Sequence, residues 1–146
     1  MRTIILTIAI SVVCCMLNPF EGQAQMQGKK YDNPKWKTVE MLEVKHGKMD
    51  RVREIISNYF IKAANKAGSR QPAMILEPAT GEWNMILVWD MKEGIEELNW
   101  EVRPDDVKWM TAMNEIAGSA DKAKAILDEW SSLVVRSTSY VCRQLN

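Results

Sequence analysis

The sequence has few of the side chains that bind metals and no excess charge of either sign. Its 146 residues include three cysteines and one histidine, too few soft ligands for a zinc or iron–sulfur site. Nineteen basic residues balance nineteen acidic ones, whereas a nucleic-acid binder needs a basic surface that neutralises phosphates. The glycine-rich phosphate loops and the Cys-x-x-Cys-His haem attachment are also missing. We therefore predict no bound metal, no cofactor and no nucleic-acid partner.

The longest apolar stretch is too short to span a membrane and has the layout of an export signal. Arg2 precedes the mostly apolar residues 3–17, and a spanning helix needs about 20 residues. Gly22-Gln23-Ala24 then places small residues where a signal peptidase reads the chain. We predict a signal peptide over residues 1–24 and an exported protein, periplasmic or secreted, with no stable membrane anchor after cleavage. An uncleaved anchor is the alternative.

Cleavage would leave a domain that folds without an intrachain disulfide. Cys14 and Cys15 would leave with the signal, so Cys142 is the one remaining cysteine. The residues before Cys14 and Cys15 are not the small ones that lipoprotein signals carry, so lipidation is not expected. Cys142 either packs as a small hydrophobe or bridges a dimer. The polar residues 25–35 predict a flexible lead-in, and residues 36–146 predict the folded domain.

The spacing of apolar residues predicts strands that alternate with helices, because the period is two in strands and 3.6 in helices. It predicts strands over residues 36–45, 73–77, 83–91 and 134–143, a helix from Met49, a short helical stretch at residues 95–102, and two further helices that begin at Pro104 and after Ser119. This order is the ferredoxin-like βαββαβ arrangement. It is an α+β fold with a four-stranded antiparallel sheet, helices on one face and an extra helix before the last strand.

Both faces of the predicted sheet carry apolar side chains. In the first strand Val39 and Met41 point to one face, whereas Leu42 and Val44 point to the other. A sheet with helices on one side alternates apolar and polar residues, so the second apolar face needs another cover. We therefore predict a homodimer whose sheets pack face to face.

The turn after the first strand is similar to a turn in a known group of proteins. Val44-Lys45-His46-Gly47-Lys48 leads into an amphipathic helix, and many antibiotic-biosynthesis-monooxygenase-like domains have a similar Val-Lys-Pro-Gly-Lys turn at this place. Over residues 36–143 the chain resembles this group, which belongs to the dimeric α/β-barrel superfamily. It differs in having His46 where proline is usual and an additional helix before the last strand. The superfamily includes cofactor-independent oxygenases, haem-degrading enzymes, isomerases and proteins without known activity, so the resemblance implies a fold and a dimer but no single reaction.

The titratable residues do not form a recognisable catalytic set. His46 is the one histidine, and histidine changes charge near neutral pH. As a catalytic base it would need a carboxylate within reach, and the candidates on the strands are Glu40, Glu43 and Asp90. A surface turn is the simpler place for it. Adjacent carboxylates, at residues 96–97 and 105–106, point about 100° apart on a helix and do not share a site.

Tryptophan and methionine are frequent relative to phenylalanine. Six tryptophans and ten methionines stand against two phenylalanines. Flat and adaptable side chains of this kind suit either a plain core or a cavity for an apolar ligand. For the cavity alternative we predict a site between the sheet and the helices before the last strand, lined by Trp89, Trp109 and Tyr140. His46 would join it only if its turn folds over the opening.

Three functions remain open at this point. The first is an exported, dimeric, ferredoxin-like domain of undetermined activity that binds a small apolar or aromatic ligand. The second is a small cofactor-independent oxygenase-like or haem-active enzyme. The third is a periplasmic protein-interaction module. The sequence assigns no catalytic residue under any of them.

The mass of the mature chain tests the export prediction. Protein recovered outside the cytoplasm is expected to begin at Gln25, because the charge, the apolar stretch and the cleavage site agree. Intact mass spectrometry separates the outcomes. A chain of all 146 residues, or a lipid on Cys15, would contradict the prediction.

Overall fold

The chain folds around one antiparallel sheet that carries helices on one side. A computed structural model describes residues 28–145, and the predicted signal peptide over residues 1–24 lies outside them. Residues 28–35 contain no helix or strand. The elements are β1 (Trp36–Val44), α1 (Met49–Ile55), a π-helical segment (Ile56–Phe60), α2 (Ile61–Ala67), β2 (Met74–Leu76), β3 (Met85–Met91), a 3₁₀ helix (Gly94–Asn99), α3 (Pro104–Ala117), α4 (Ala120–Leu133) and β4 (Val134–Arg143).

β1 is one of the two inner strands of the sheet and lies between β3 and β4. The strand order is β2-β3-β1-β4, and each neighbouring pair is antiparallel. β2 and β3 are consecutive in sequence. α1, the π-helical segment and α2 lie between β1 and β2, whereas the 3₁₀ helix, α3 and α4 lie between β3 and β4. This arrangement confirms the predicted α+β, ferredoxin-like fold with four antiparallel strands and an additional helix before the last strand.

The helix ends follow local signals in the sequence. α2 ends at Gly68, whose φ of 59° is left-handed and favours glycine. α3 ends in the same way at Gly118, with a φ of 89°. The Ser119 hydroxyl accepts a hydrogen bond from the Lys122 backbone N–H at 3.2 Å and caps α4. Within residues 28–145, no helix combines the length and the hydropathy that crossing a membrane requires.

β3 begins later than the sequence predicts, at Met85 instead of Trp83. Asn84 is the reason. Its Oδ1 accepts a hydrogen bond from the Val44 backbone N–H at 2.7 Å, and its own backbone N–H donates to the Leu42 carbonyl at 2.9 Å. A side-chain amide therefore replaces a backbone carbonyl at the end of the β1–β3 pairing, which a period-two pattern does not reveal.

Two clusters of buried side chains form the core. The first joins one face of the sheet to α1 and α4, with Leu42, Val52, Ile55, Met85 and Leu133 among its members. The second consists of Met113 and three small residues, Ala63, Ala112 and Ala123. Small side chains let α2, α3 and α4 approach one another closely. All of this packing lies on the sheet face that carries Leu42.

The other face of the sheet is apolar, and no helix within residues 28–145 covers it. Cross-strand partners point to the same face, so the β1 residues on this side lie beside apolar partners on β3. Met74 and Leu76, on the edge strand β2, are 51% and 44% exposed. We call this surface the open face; it consists of Val39, Met41, Met74, Leu76, Ile86, Val88 and Tyr140.

Charged side chains border the open face. Lys37 forms an ion pair with Asp90. Arg136 contacts Glu43 at 3.1 Å and Glu82 at 2.9 Å, and its guanidinium lies 4.4 Å from the centroid of the Trp83 ring. The surface therefore has an apolar centre and a polar margin, the anatomy of many protein interfaces.

Cys142 lies on the same side of the sheet as the open face. It pairs in register with Lys37, and its free thiol is exposed. Within one copy of the chain it therefore does not pack as a small buried hydrophobe, because this position on β4 faces away from the helices.

Candidate functional site

A cavity of about 350 Å³ lies between the helix-covered face of the sheet and the helices. Most of its wall is apolar. The sheet contributes Thr38, Glu40, Ile75, Leu87 and Trp89, and the helices and their connections contribute Ile56, Phe60, Ile61, Ala64, Ser69, Arg70, Gln71, Pro72, Arg103, Asp105, Asp106, Trp109 and Trp130.

A π-helical segment shapes the helical wall of the cavity. The sequence predicts one regular helix from Met49, but Ile56–Phe60 is π-helical between α1 and α2. The Phe60 carbonyl, at the end of this segment, accepts a hydrogen bond from the Trp109 indole Nε1–H at 3.1 Å. This hydrogen bond connects α3 to the end of the π-helical segment, where the helical register changes. Short π segments inside helices frequently occur at functional sites.

Three aromatic rings of the wall hold one another in place. The Phe60 ring stands edge-on to Trp109, with centroids 5.5 Å apart, and edge-on to Trp130, with centroids 5.1 Å apart. Edge-to-face pairs of this kind are favourable by about 0.5–1.5 kcal/mol beyond the area they bury. The aromatic wall is therefore supported by its own contacts and does not need a ligand to hold its shape.

Two guanidinium groups line the cavity, and both are already paired. Arg70 lies over the Trp89 ring, 5.2 Å from its centroid, and its Nη1 is 3.0 Å from Glu97 Oε2. Arg103 contacts Glu97 at 3.4 Å and Asp106 at 3.1 Å. Burial lowers the pKa of Arg70, and the neighbouring charge of Arg103 lowers it further. The side chain of Glu97, only 9% exposed, thus bridges two cations that crowd each other.

Glu40 is the acidic residue of the cavity that has no partner. It lies on β1 between Thr38 and Leu42 and stands opposite Leu87 in the sheet. The residue is partly buried, and this burial raises the pKa of its carboxyl above the usual value near 4.5. The carboxylate forms no hydrogen bond or ion pair with any residue of the described chain. It is a desolvated acceptor that faces an apolar cavity.

A second polar atom of the wall also lacks a partner. Ser69 Oγ is buried and makes no hydrogen bond within the part of the chain that the structure describes. Buried polar groups are normally paired with protein or with water. Ser69 and Glu40 therefore give the cavity two unsatisfied polar points in a largely apolar wall.

The structure brings together two of the four residues predicted to bind a ligand. Trp89 and Trp109 both line the cavity. Tyr140 pairs with Val39, so it lies on the open face, on the opposite side of the sheet, and is 52% exposed. His46 is exposed in the turn between β1 and α1 and does not line the cavity. Within residues 28–145, no three histidine, cysteine, aspartate or glutamate side chains converge in a group that could hold a metal ion.

Several cavity residues are not among those that the sequence singled out. Arg70 and Arg103 meet only through Glu97, and no pattern in the sequence connects these three residues. The sequence does indicate that Glu40 points inward, because alternate residues of a strand share a face and Leu42 and Val44 on β1 are buried. A charged residue in the inward set of a central strand is costly unless it is paired, and this cost points to a site.

Comparison with known proteins connects the fold to one family of structures. The chain matches no protein-family profile and no curated protein sequence. It is similar in structure to a NIPSNAP family protein from Agrobacterium tumefaciens, with a TM-score of 0.50 and 12% identity over 82% of this chain and 94% of the other. The fold is that of NIPSNAP proteins.

Two further solved structures resemble the chain. One is a NIPSNAP family protein of unknown function from Agrobacterium tumefaciens, with a TM-score of 0.48 and 8% identity over 78% of this chain and 91% of the other. The second is a NIPSNAP domain protein from Burkholderia xenovorans, with a TM-score of 0.46 and 9% identity over 75% and 94%. At such identities the similarity extends to the fold alone. It does not confirm the narrower resemblance to antibiotic-biosynthesis-monooxygenase-like domains.

Replacing Glu40 is expected to stabilise the protein. Glu40→Gln removes a desolvated, unpaired charge, so the free energy of unfolding at pH 7 should rise by about 0.5–1 kcal/mol, a value kept small because the side chain is partly solvated. A raised pKa means that the folded state holds its proton more tightly than the unfolded state. The gain should therefore be present at pH 7 and fade as the pH falls through the raised pKa towards 4.5.

Chemical denaturation between pH 3.5 and 7.5 measures this difference. Asp105 and Asp106, which also line the cavity, are present in both proteins, so the comparison isolates the side chain at position 40. Glu43→Gln is the matched control, since Glu43 lies on the same strand but contacts Arg136 at 3.1 Å, and it should not stabilise. A loss of stability in Glu40→Gln would show that Glu40 has a partner in solution, and a gain that does not change with pH would show that the stabilisation does not come from removing the charge.

Proposed function

We propose that the protein is an exported, homodimeric domain of the dimeric α/β-barrel type that binds a small, flat, mainly apolar ligand between its sheet and its helices. The observation that carries the proposal is the cavity of about 350 Å³ with its aromatic wall. Ligand sites are typically concave, mostly apolar spaces of about 300–1,000 Å³ with a few placed polar groups. The cavity has this size and this composition.

The size of the cavity argues for binding and against imperfect packing. Protein interiors are close-packed, and voids larger than a water molecule are few. Elsewhere in this chain the helices meet through small residues such as Ala63 and Ala123, both fully buried. Larger side chains at Ala64 or Ser69 could fill this space, but both positions of the wall hold small residues.

The composition of the wall favours this function over the two alternatives. No described residue that lines the cavity is a histidine, cysteine, methionine or tyrosine, the side chains that ligate haem iron, so the cavity does not support haem chemistry. A tryptophan-rich docking surface would need exposed indoles, but five of the six tryptophans are partly buried and Trp100 alone is 50% exposed. The unpaired carboxylate of Glu40 keeps a cofactor-independent enzyme as a second candidate, because a desolvated carboxylate can accept a proton.

The open face supports the dimer. An apolar sheet surface of seven residues with a charged margin is larger than the scattered apolar residues that monomers normally expose. A second copy of the same sheet would cover the apolar centre and leave the Lys37–Asp90 and Arg136–Glu43 pairs at the rim. The architecture of the superfamily that the sequence resembles implies the same arrangement.

A pair of neighbouring alanines tests the cavity. Ala64→Leu adds a larger side chain where the wall is open, so it should leave stability within about 1 kcal/mol of the parent and weaken the binding of naphthalene, a flat apolar probe, at least about tenfold. Ala63→Leu is the control, because Ala63 is fully buried in the second core cluster and overpacking there should cost about 1–3 kcal/mol. Calorimetric titration and thermal unfolding measure the two effects.

The opposite pattern would contradict the proposed site. If wild-type protein does not bind naphthalene, or if Ala64→Leu binds it as well as the parent does, the cavity is not the place where ligands bind.

A charge on the open face tests the dimer. Val88 lies between Val39 and Met74 in the sheet, so Val88→Lys should convert a dimer that buries on the order of 1,600 Å² into a monomer with unchanged secondary structure. Light scattering of the wild-type protein should give twice the chain mass. Ala125→Lys, at an exposed position of α4, is the control and should remain dimeric. A monomeric wild-type protein, or a dimeric Val88→Lys variant, would contradict this arrangement.

A further inference from the structure

We infer that Glu40 is the polar anchor of the cavity and that its ligand is a flat aromatic compound that presents a hydroxyl or a protonated amine to this carboxylate. Carboxylates and phosphates are excluded as ligands by the same arrangement. The inference rests on the proposed function, since it names the class of ligand for the cavity already described.

The position of Glu40 is the first argument. β1 is an inner strand, and its neighbours on the helix-covered side, Leu42 and Val44, are 1% and 6% exposed core residues. Leucine at position 40 would extend this core towards Leu87, its cross-strand partner. A carboxylate there loses hydration and gains no hydrogen bond from the described residues. Such a cost is recovered when a ligand supplies the missing donor.

The charge of the cavity is the second argument. Arg70 and Arg103 are the two cations of the wall, and both are engaged by Glu97, with Asp106 as a further partner of Arg103. Asp105 has Lys108 at 3.7 Å. The wall thus holds three acidic side chains, with Glu40 as the third, against two basic ones. An anionic ligand would compete with these carboxylates for the two guanidinium groups and would be repelled by the partly buried Glu40 carboxylate, because like charges repel more strongly where burial lowers the local dielectric.

Ser69 supplies the second polar point. Its buried Oγ has no partner within the described chain, and it lines the same cavity as Glu40. A hydroxyl can donate or accept, so Ser69 is suited to a second polar group on the ligand. The carboxylate only accepts when it is ionised. The requirement for a donor on the ligand therefore comes from Glu40.

Three probes of one shape test the inference. Naphthalene carries no polar group, 2-naphthol carries a hydroxyl donor, and 2-naphthoate carries a negative charge. Wild-type protein should bind 2-naphthol about tenfold more tightly than naphthalene, the ratio expected for one net hydrogen bond to a charged acceptor. It should bind 2-naphthoate more weakly than naphthalene.

Variants of Glu40 assign this preference to the carboxylate. Glu40→Leu should bind naphthalene at least as well as the parent and lose the preference for 2-naphthol. Glu40→Gln keeps an acceptor without the charge, so it should retain only part of the preference. Glu43→Leu, on the opposite side of β1, is the matched control and should leave the preference unchanged. Thermal unfolding shows that each variant is folded, and Glu40→Gln carries the test if Glu40→Leu does not fold.

The outcomes separate this inference from the proposed function. If naphthalene does not bind to the wild-type protein, the proposed function fails. If naphthalene binds but 2-naphthol binds no more tightly, or if the preference for 2-naphthol survives in Glu40→Leu, the cavity binds ligands and Glu40 is not its anchor. If 2-naphthoate binds most tightly of the three, the exclusion of anions is wrong.

Discussion

The alternation of side chains along β1 is the constraint on which both surfaces of the sheet depend. Leu42 and Glu40 face the helices, whereas Val39 and Met41 face the opposite side. A slip of one residue would exchange the two sets. Pairing with β3 on one side and β4 on the other prevents it, and the side-chain amide of Asn84 holds the end of the strand. The core, the cavity and the open face are thus fixed by the register of one strand.

The cavity keeps its shape because its walls support one another. Phe60 stands between Trp109 and Trp130, and the Trp109 indole is anchored on the Phe60 carbonyl at 3.1 Å. On the other side, the guanidinium of Arg70 covers the face of Trp89 and is held in turn by Glu97 from the 3₁₀ helix. These rings line the cavity and keep their positions without a ligand. The polar groups that remain unpaired, above all Glu40, determine where on the wall a ligand can form a hydrogen bond.

Much of the fold follows from the sequence, and part of the site does. Glycine and serine signals define the helix ends, and Trp89 and Trp109 fall on strand and helix faces that point inward. The prediction for Tyr140 is wrong because Tyr140 and Val141 are adjacent apolar residues. The pattern in β4 does not say which of the two faces the helices, and only the pairing with β1 decides it. The apolar spacing gives no signal for the π-helical segment, and Arg70 lies 27 residues from Glu97, a separation that no local pattern encodes. The inward position of Glu40 can be predicted from the sequence, because Glu40 and Leu42 are two residues apart on β1 and therefore point to the same face of the sheet.

The tryptophans provide the most direct measurement of whether the cavity binds a ligand. Trp89, Trp109 and Trp130 line it, whereas Trp36, Trp83 and Trp100 do not, so the six indole N–H signals in a ¹⁵N-correlated NMR spectrum contain their own control. On titration with naphthalene, the signals of the first three should shift together and saturably while those of the other three stay in place. Unchanged signals throughout, or shifts confined to Trp83 and Trp100, would contradict the assignment of this cavity as the ligand site.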